Sequence, residues 1–187
     1  MYDDKKIFTD LKKLSKTGST NQEDLFKLLK KYSKTISVFD LMAGSILLKD
    51  DVQHVQQRYR EEFLNVYINC YITIIKDIKD NKRIYDEILD IGEFNNFIDL
   101  LEKQFEDNRA NERRKSKNES RIPLTYVLSS LYANFILKEP IHPVGTPFPG
   151  GLKVELIDGV YYCPIKELQS LNPHAVCQLC MAEQTEK

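Results

Sequence analysis

Cys177-Gln-Leu-Cys180 sets two thiols at the spacing from which one turn of backbone can present both to a single ion. Borderline-soft zinc favours such sulfur ligands, at about 2.3 Å. Cys163 lies upstream by a loop of the length that commonly separates the two halves of a zinc site. Three sulfurs leave one tetrahedral position, and two imidazoles can compete for it, His142 and His174. His174 would have to converge with Cys177 and Cys180 from one short stretch, which strains the backbone. His142 arrives from a separate loop and is the better fourth ligand on that ground. A Cys₃His zinc site has no open position, so its role is structural, and the roughly 10 to 16 kcal/mol released on zinc binding can organise a segment with little core of its own.

The same residues admit other chemistry. Cys163, Cys177 and Cys180 with a histidine or a free corner could hold an iron–sulfur cluster, because spacing alone does not select the metal. Buried thiols can also be inert packing. A nucleophilic pair of Cys163 with His142 lacks any local sequence suggesting an oxyanion hole. Cys70 occupies an apolar helical stripe and reads as a small buried hydrophobe outside the site, and His54 reads as a solvated surface residue. Arg109, Arg113, Arg114, Lys115, Lys117 and Arg121 could touch phosphates, but Glu112 and Glu119 intervene and no aromatics interleave, so a solvated linker is the expectation. The glycines around Gly145 match neither a Walker loop nor a dinucleotide fingerprint.

HPVGTPFPGGLKVE, GVYYCPIKELQ and CQLCMAEQ together resemble the C-terminal signature of an uncharacterised protein family of methanogenic archaea, a domain of unknown function. The likeness is specific over residues 142 to 184. It implies a cytoplasmic archaeal protein with motif positions at His142, Cys163, Cys177 and Cys180, carries no activity with it, and gives no role to His174.

The elements that must position these donors differ along the chain. Residues 1 to 138 hold three of the seven Gly and one of the seven Pro; residues 139 to 187 hold the rest. The first part has a helical apolar period throughout. Ile7, Phe8, Leu11 and Leu14 mark a short first helix. Thr20 with Glu23 reads as a capping box for a longer second helix carrying Leu25, Leu28, Leu29, Tyr32, Ile36 and Phe39. Asp50 and Asp51 suit the start of a third, the longest, striped by Val52, Val55, Tyr59, Phe63, Val66, Cys70 and Ile74. A short turn over Ile84 to Leu89 ends near Gly92, another helix runs from Phe94 to Phe105, and NRANERRKSKNESR has no apolar period and reads as a linker. A last helix opens at Ser120 with Pro123 in its first turn and is stopped by Pro140. After it come a sharply turned Pro/Gly loop and two β-prone runs, LKVELI and VYYC, joined by Asp158-Gly159, the pair a type I′ hairpin turn needs. Cys163 then ends a strand, a short helical turn follows over IKELQSL, and Asn172-Pro173 breaks the chain before the last two cysteines.

The fold expected is therefore mainly α: a helical bundle over residues 1 to 138 with a small C-terminal β-hairpin metal-binding subdomain over 139 to 187. A net charge of −1 removes the global electrostatic case for nucleic acid or anionic membrane as partner. No apolar run approaches the roughly 20 residues of a membrane span, and MYDDKKIFTDLKK has no signal-peptide core. A cytoplasmic location and reduced thiols are the expectation. The function expected is that of a zinc-stabilised binding or scaffold protein whose loop and hairpin recognise another protein. The alternatives are an iron–sulfur or zinc enzyme or redox protein using the same site, and nucleic-acid binding through a zinc module with the basic linker.

Overall fold

The computed structural model describes residues 4–17, 20–51, 57–115, 122–169 and 176–185, and they form a mostly helical protein with a small C-terminal sheet region. Helix α1 (Lys6–Ser15) buries Ile7, Phe8 and Leu11 along the expected stripe. Helix α2 (Gln22–Ser33) starts one residue later than the Thr20 box predicts, because the Asn21 side chain accepts the Asp24 N–H at 2.9 Å. The Thr20 hydroxyl donates instead to the Leu14 carbonyl, and the Glu23 carboxylate accepts the Tyr85 N–H from across the fold.

The second helix does not run on to Phe39. Ser37 and Asp40 exchange backbone and side-chain bonds in a reciprocal box that opens a new helix, α3 (Val38–Asp51). Asp50 and Asp51, expected at a helix start, are the last described residues of α3. One stripe of α3, formed by Val38, Phe39, Met42 and Ile46, stays 59–77% exposed. The stretch holding Val52, His54 and Val55 lies outside the described residues.

Helix α4 (Gln57–Asp80) carries the rest of the expected third helix and buries Tyr71, Ile75 and Ile78. The helical turn expected over Ile84 to Leu89 is instead extended. Its backbone is taken by the start of α2: Gln22 N–H donates to the Glu87 carbonyl at 2.9 Å and Leu89 N–H to the Thr20 carbonyl at 3.0 Å. Leu89 points inward while Ile84 and Ile88 face solvent, as an extended strand dictates. Helix α5 (Ile91–Lys115) takes in Gly92 and extends through the first half of the expected linker. The run from Glu93 to Lys115 has no proline or glycine and is rich in good helix formers, so the helix outlasts its apolar stripe. Residues 116–121 lie outside those described.

Helix α6 (Ile122–Leu131) widens into a π-helical segment, Tyr132–Leu137, and Lys138 ends it in the left-handed region at φ 55°. Phe135 in that segment meets Phe94 and Phe97 of α5 edge to face, at 5.2 and 5.1 Å between ring centres. The Gln22 side chain donates to the Phe135 carbonyl at 2.7 Å. These contacts lie at the centre of the large core shared by α1, α2, α4, α5 and α6.

On the rim, the Asp10 carboxylate accepts from Lys31 Nζ and the Tyr32 hydroxyl, each at 2.9 Å. The Lys31 bond leads in holding the Asp10 pKa below the ordinary value, against the opposing effect of burial. A depressed carboxylate stabilises the fold above its unfolded pKa and loses that contribution as pH falls through the folded one. Asp10→Asn is therefore expected to cost about 1 kcal/mol in a urea titration at neutral pH. The gap to the native chain should narrow as the pH drops below about 4; a gap independent of pH would contradict this.

After Pro140 the chain becomes β-structured. Strand β1 (Pro147–Phe148) lies inside the Pro/Gly loop, where the sequence suggested no regular element, and pairs antiparallel with β2 (Leu152–Lys153), the start of the expected LKVELI run. Strands β3 (Glu155–Ile157) and β4 (Val160–Cys163) form the expected hairpin, with Asp158 at φ 49° and Gly159 at φ 83°. A one-turn helix α7 (Lys166–Gln169) and a 3₁₀ turn (Val176–Leu179) precede β5 (Glu183–Gln184), which runs parallel to β4 with Gln184 beside Cys163. Among the described residues no helix is long and apolar enough to cross a membrane.

Candidate metal centre

Cys163 is the last residue of β4, and its position in the strand turns it inward against Phe148, Val154, Cys180 and Ala182. Pro164 has no backbone N–H, so the first amides of the following turn are those of Ile165 and Lys166. Burial raises the Cys163 pKa, and these two N–H groups oppose the rise.

Cys177 and Cys180 belong to the 3₁₀ turn and its exit, with the Cys180 N–H donating to the Cys177 carbonyl at 3.3 Å. Three residues per turn put side chains i and i+3 on one side, so the pair faces the same way. Burial, then the neighbouring Cys180 and Cys163, push the Cys177 thiol up to about 11. Val176, immediately before, points the other way into the large helical core.

His142 enters from the loop ahead of β1. Its ring packs between Tyr67 of α4 and Phe148 of β1, both at 5.9 Å between ring centres. Burial lowers its pKa to about 4, so the imidazole is neutral at pH 7, the form that ligates metals. The loop is fixed by the Gly145 N–H donating to the Val154 carbonyl at 2.8 Å and the Val154 N–H donating to that of Thr146 at 3.1 Å.

His142, Cys163, Cys177 and Cys180 all line one cavity of about 10 Å³, completed by Pro140, Ile141, Val154, Lys166 and Ala182. That is about the space one small spherical guest requires. Among the described residues, no three His, Cys, Asp or Glu side chains are already drawn together as an ion would hold them. His174 lies outside the described residues. Cys70 is apart from this group, half-buried, in a second cavity of about 50 Å³ with Tyr67, Tyr71 and Tyr126. Burial, and Glu139 after it, raise its thiol to about 11.

Two contributors were not foreseen. Lys166 follows Cys163 by three residues, and its place in a strand-to-turn exit was the available signal. Tyr67 sits on the half-buried side of α4, and nothing in its neighbours along the chain announces a contact with His142.

The chain matches, over residues 21–185, the family described as an uncharacterized protein conserved in archaea (DUF2115). It belongs to that family. A UPF0305 protein of Methanothermobacter thermautotrophicus is 34% identical over 160 residues, covering 86% of this chain and 94% of the relative. A UPF0305 protein of Methanocaldococcus jannaschii is 26% identical over 162 residues, with the same coverage of each. A UPF0305 protein of Methanopyrus kandleri is 54% identical over 57 residues, 30% of this chain and 40% of its own. No solved structure matches the chain.

Proposed function

We propose that this DUF2115 protein is a metal-stabilised binding or scaffold protein of the cytoplasm, in which zinc held by His142, Cys163, Cys177 and Cys180 fixes the C-terminal sheet region for contact with a protein partner. The observation that carries the reading is the meeting of these four side chains, from three separate stretches of chain, at one cavity. Their chemistry suits the ion: three sulfurs and a neutral imidazole are a common zinc donor set. The four have to draw inward by side-chain rotation to take the ion, and binding at neutral pH releases protons from the thiols. A four-ligand centre leaves no position for substrate, which favours a structural role over catalysis.

Metal analysis of protein purified without added chelator and under strict exclusion of oxygen tests this. One equivalent of zinc in colourless protein is the expected result. Iron with acid-labile sulfide would replace the zinc site by a cluster, and metal-free protein that takes up no added zinc would remove the centre. The fourth ligand is tested separately: His142→Ala should lose zinc to a competing chelator at least tenfold more readily than the native chain, whereas His174→Ala should not. The reverse order would assign the position to His174.

A further inference from the structure

Among the described residues lining the cavity, Lys166 is the one cation. Its place follows from Cys163: the short turn after that residue opens directly into α7, whose first residue is Lys166. From there the ammonium crosses to the other half of the site. It donates to the Cys180 carbonyl at 2.7 Å and to the Ala182 carbonyl. One side chain therefore ties the Cys163 turn to the segment that carries Cys180, and does so with a positive charge at the cavity the three cysteines line.

The charge matters because of the donor set. A divalent ion with three thiolates and a neutral imidazole leaves the occupied centre at −1, in surroundings formed largely by Phe148, Val154, Ala182 and Ile141. An uncompensated charge in such surroundings is costly, and a nearby ammonium offsets it. We infer that Lys166 is a positioning and charge-balancing residue of this centre, which sets its affinity for a thiophilic divalent ion by holding the Cys180 half-site and neutralising the occupied state. The inference rests on the metal-centre reading above.

The test measures zinc affinity by competition with a chromogenic chelator for the native chain, Lys166→Gln, Lys166→Arg and the control Lys153→Gln. Lys153 is a surface lysine paired with Glu62 away from the cavity. Gln keeps a donor and removes the charge; Arg keeps the charge. Lys166→Gln is expected to bind zinc about tenfold more weakly, with Lys166→Arg and Lys153→Gln within threefold of the native chain. At saturating cobalt, Lys166→Gln should still show the native thiolate-to-cobalt absorption, which a collapsed loop would not give. Native affinity in Lys166→Gln, an equal loss in Lys166→Arg, or altered cobalt absorption overturns the role of Lys166 while leaving the metal centre standing. A native chain that binds no zinc overturns the centre itself, and the role of Lys166 with it.

Discussion

Cys163→Ala is expected to bind zinc at least a hundredfold more weakly than the native chain and to lose part of the stabilisation that zinc confers. Cys163 is the hub of the proposed centre: it is buried, it lines the cavity with the other three donors, and its backbone pairs with β5. A hundredfold loss corresponds to about 2.7 kcal/mol, a modest share of the roughly 10 to 16 kcal/mol that structural zinc supplies elsewhere. The informative measurement is thermal unfolding with and without a strong chelator. The native chain should melt lower when the chelator is present, and the variant's melting temperature should fall by less. A native chain indifferent to the chelator, or a variant that still responds to it as strongly as the native chain, would contradict the assignment of Cys163 as a ligand.

Phe135→Ala should be the most damaging single truncation in the bundle, costing about 3 to 5 kcal/mol. Phe135 is 3% exposed and meets Phe94 and Phe97 edge to face, so removing it deletes two aromatic contacts and opens a hole where α5 and the π-helical segment meet. Domains of ordinary stability hold about 5 to 15 kcal/mol in total. For a chain of this size the melting temperature should fall by about 10 °C. Phe39→Ala serves as the comparison: Phe39 is 77% exposed on α3, and its loss should shift the melting temperature by no more than a degree or two. Equal effects at the two positions would mean that the bundle's core has been placed wrongly.

The sequence was most informative where chemistry and backbone geometry coincide. Asp158-Gly159 announces its own turn because both central positions need positive φ, and that turn fixes the register that brings Cys163 to the end of β4. Spacing grouped Cys163, Cys177 and Cys180 and left His142 and His174 as competing partners; of these, His142 lines one cavity with the three cysteines. Helix limits were harder to read, because apolar period reports burial and not hydrogen bonding. Ile36 continues the stripe of α2 and is buried as that stripe requires, yet it sits in the turn after the helix has ended, because the Ser37–Asp40 box opens a new helix there. Ile84 to Leu89 has helical spacing too, but its amides and carbonyls find partners on Thr20 and Gln22, over sixty residues away in the chain. The charged run after Phe105 has no apolar period in the sequence, yet it is rich in good helix formers and the helix runs through Lys115. Lys166 and Tyr67 were invisible for the same reason as the pairing at Thr20: each acts on a partner that only the folded chain brings near.

The short 3₁₀ turn at the carboxyl end has two neighbours on opposite sides, Val176 within the large helical core and Cys177 on the small cavity. It packs along α5, so a residue of one unit and a donor of the other are adjacent links of the same chain. Slackening at one is felt at the other across a single peptide bond. Ion release would thus register far from the ion, as faster amide hydrogen exchange along α5, and the bundle would serve as a gauge of how full the site is.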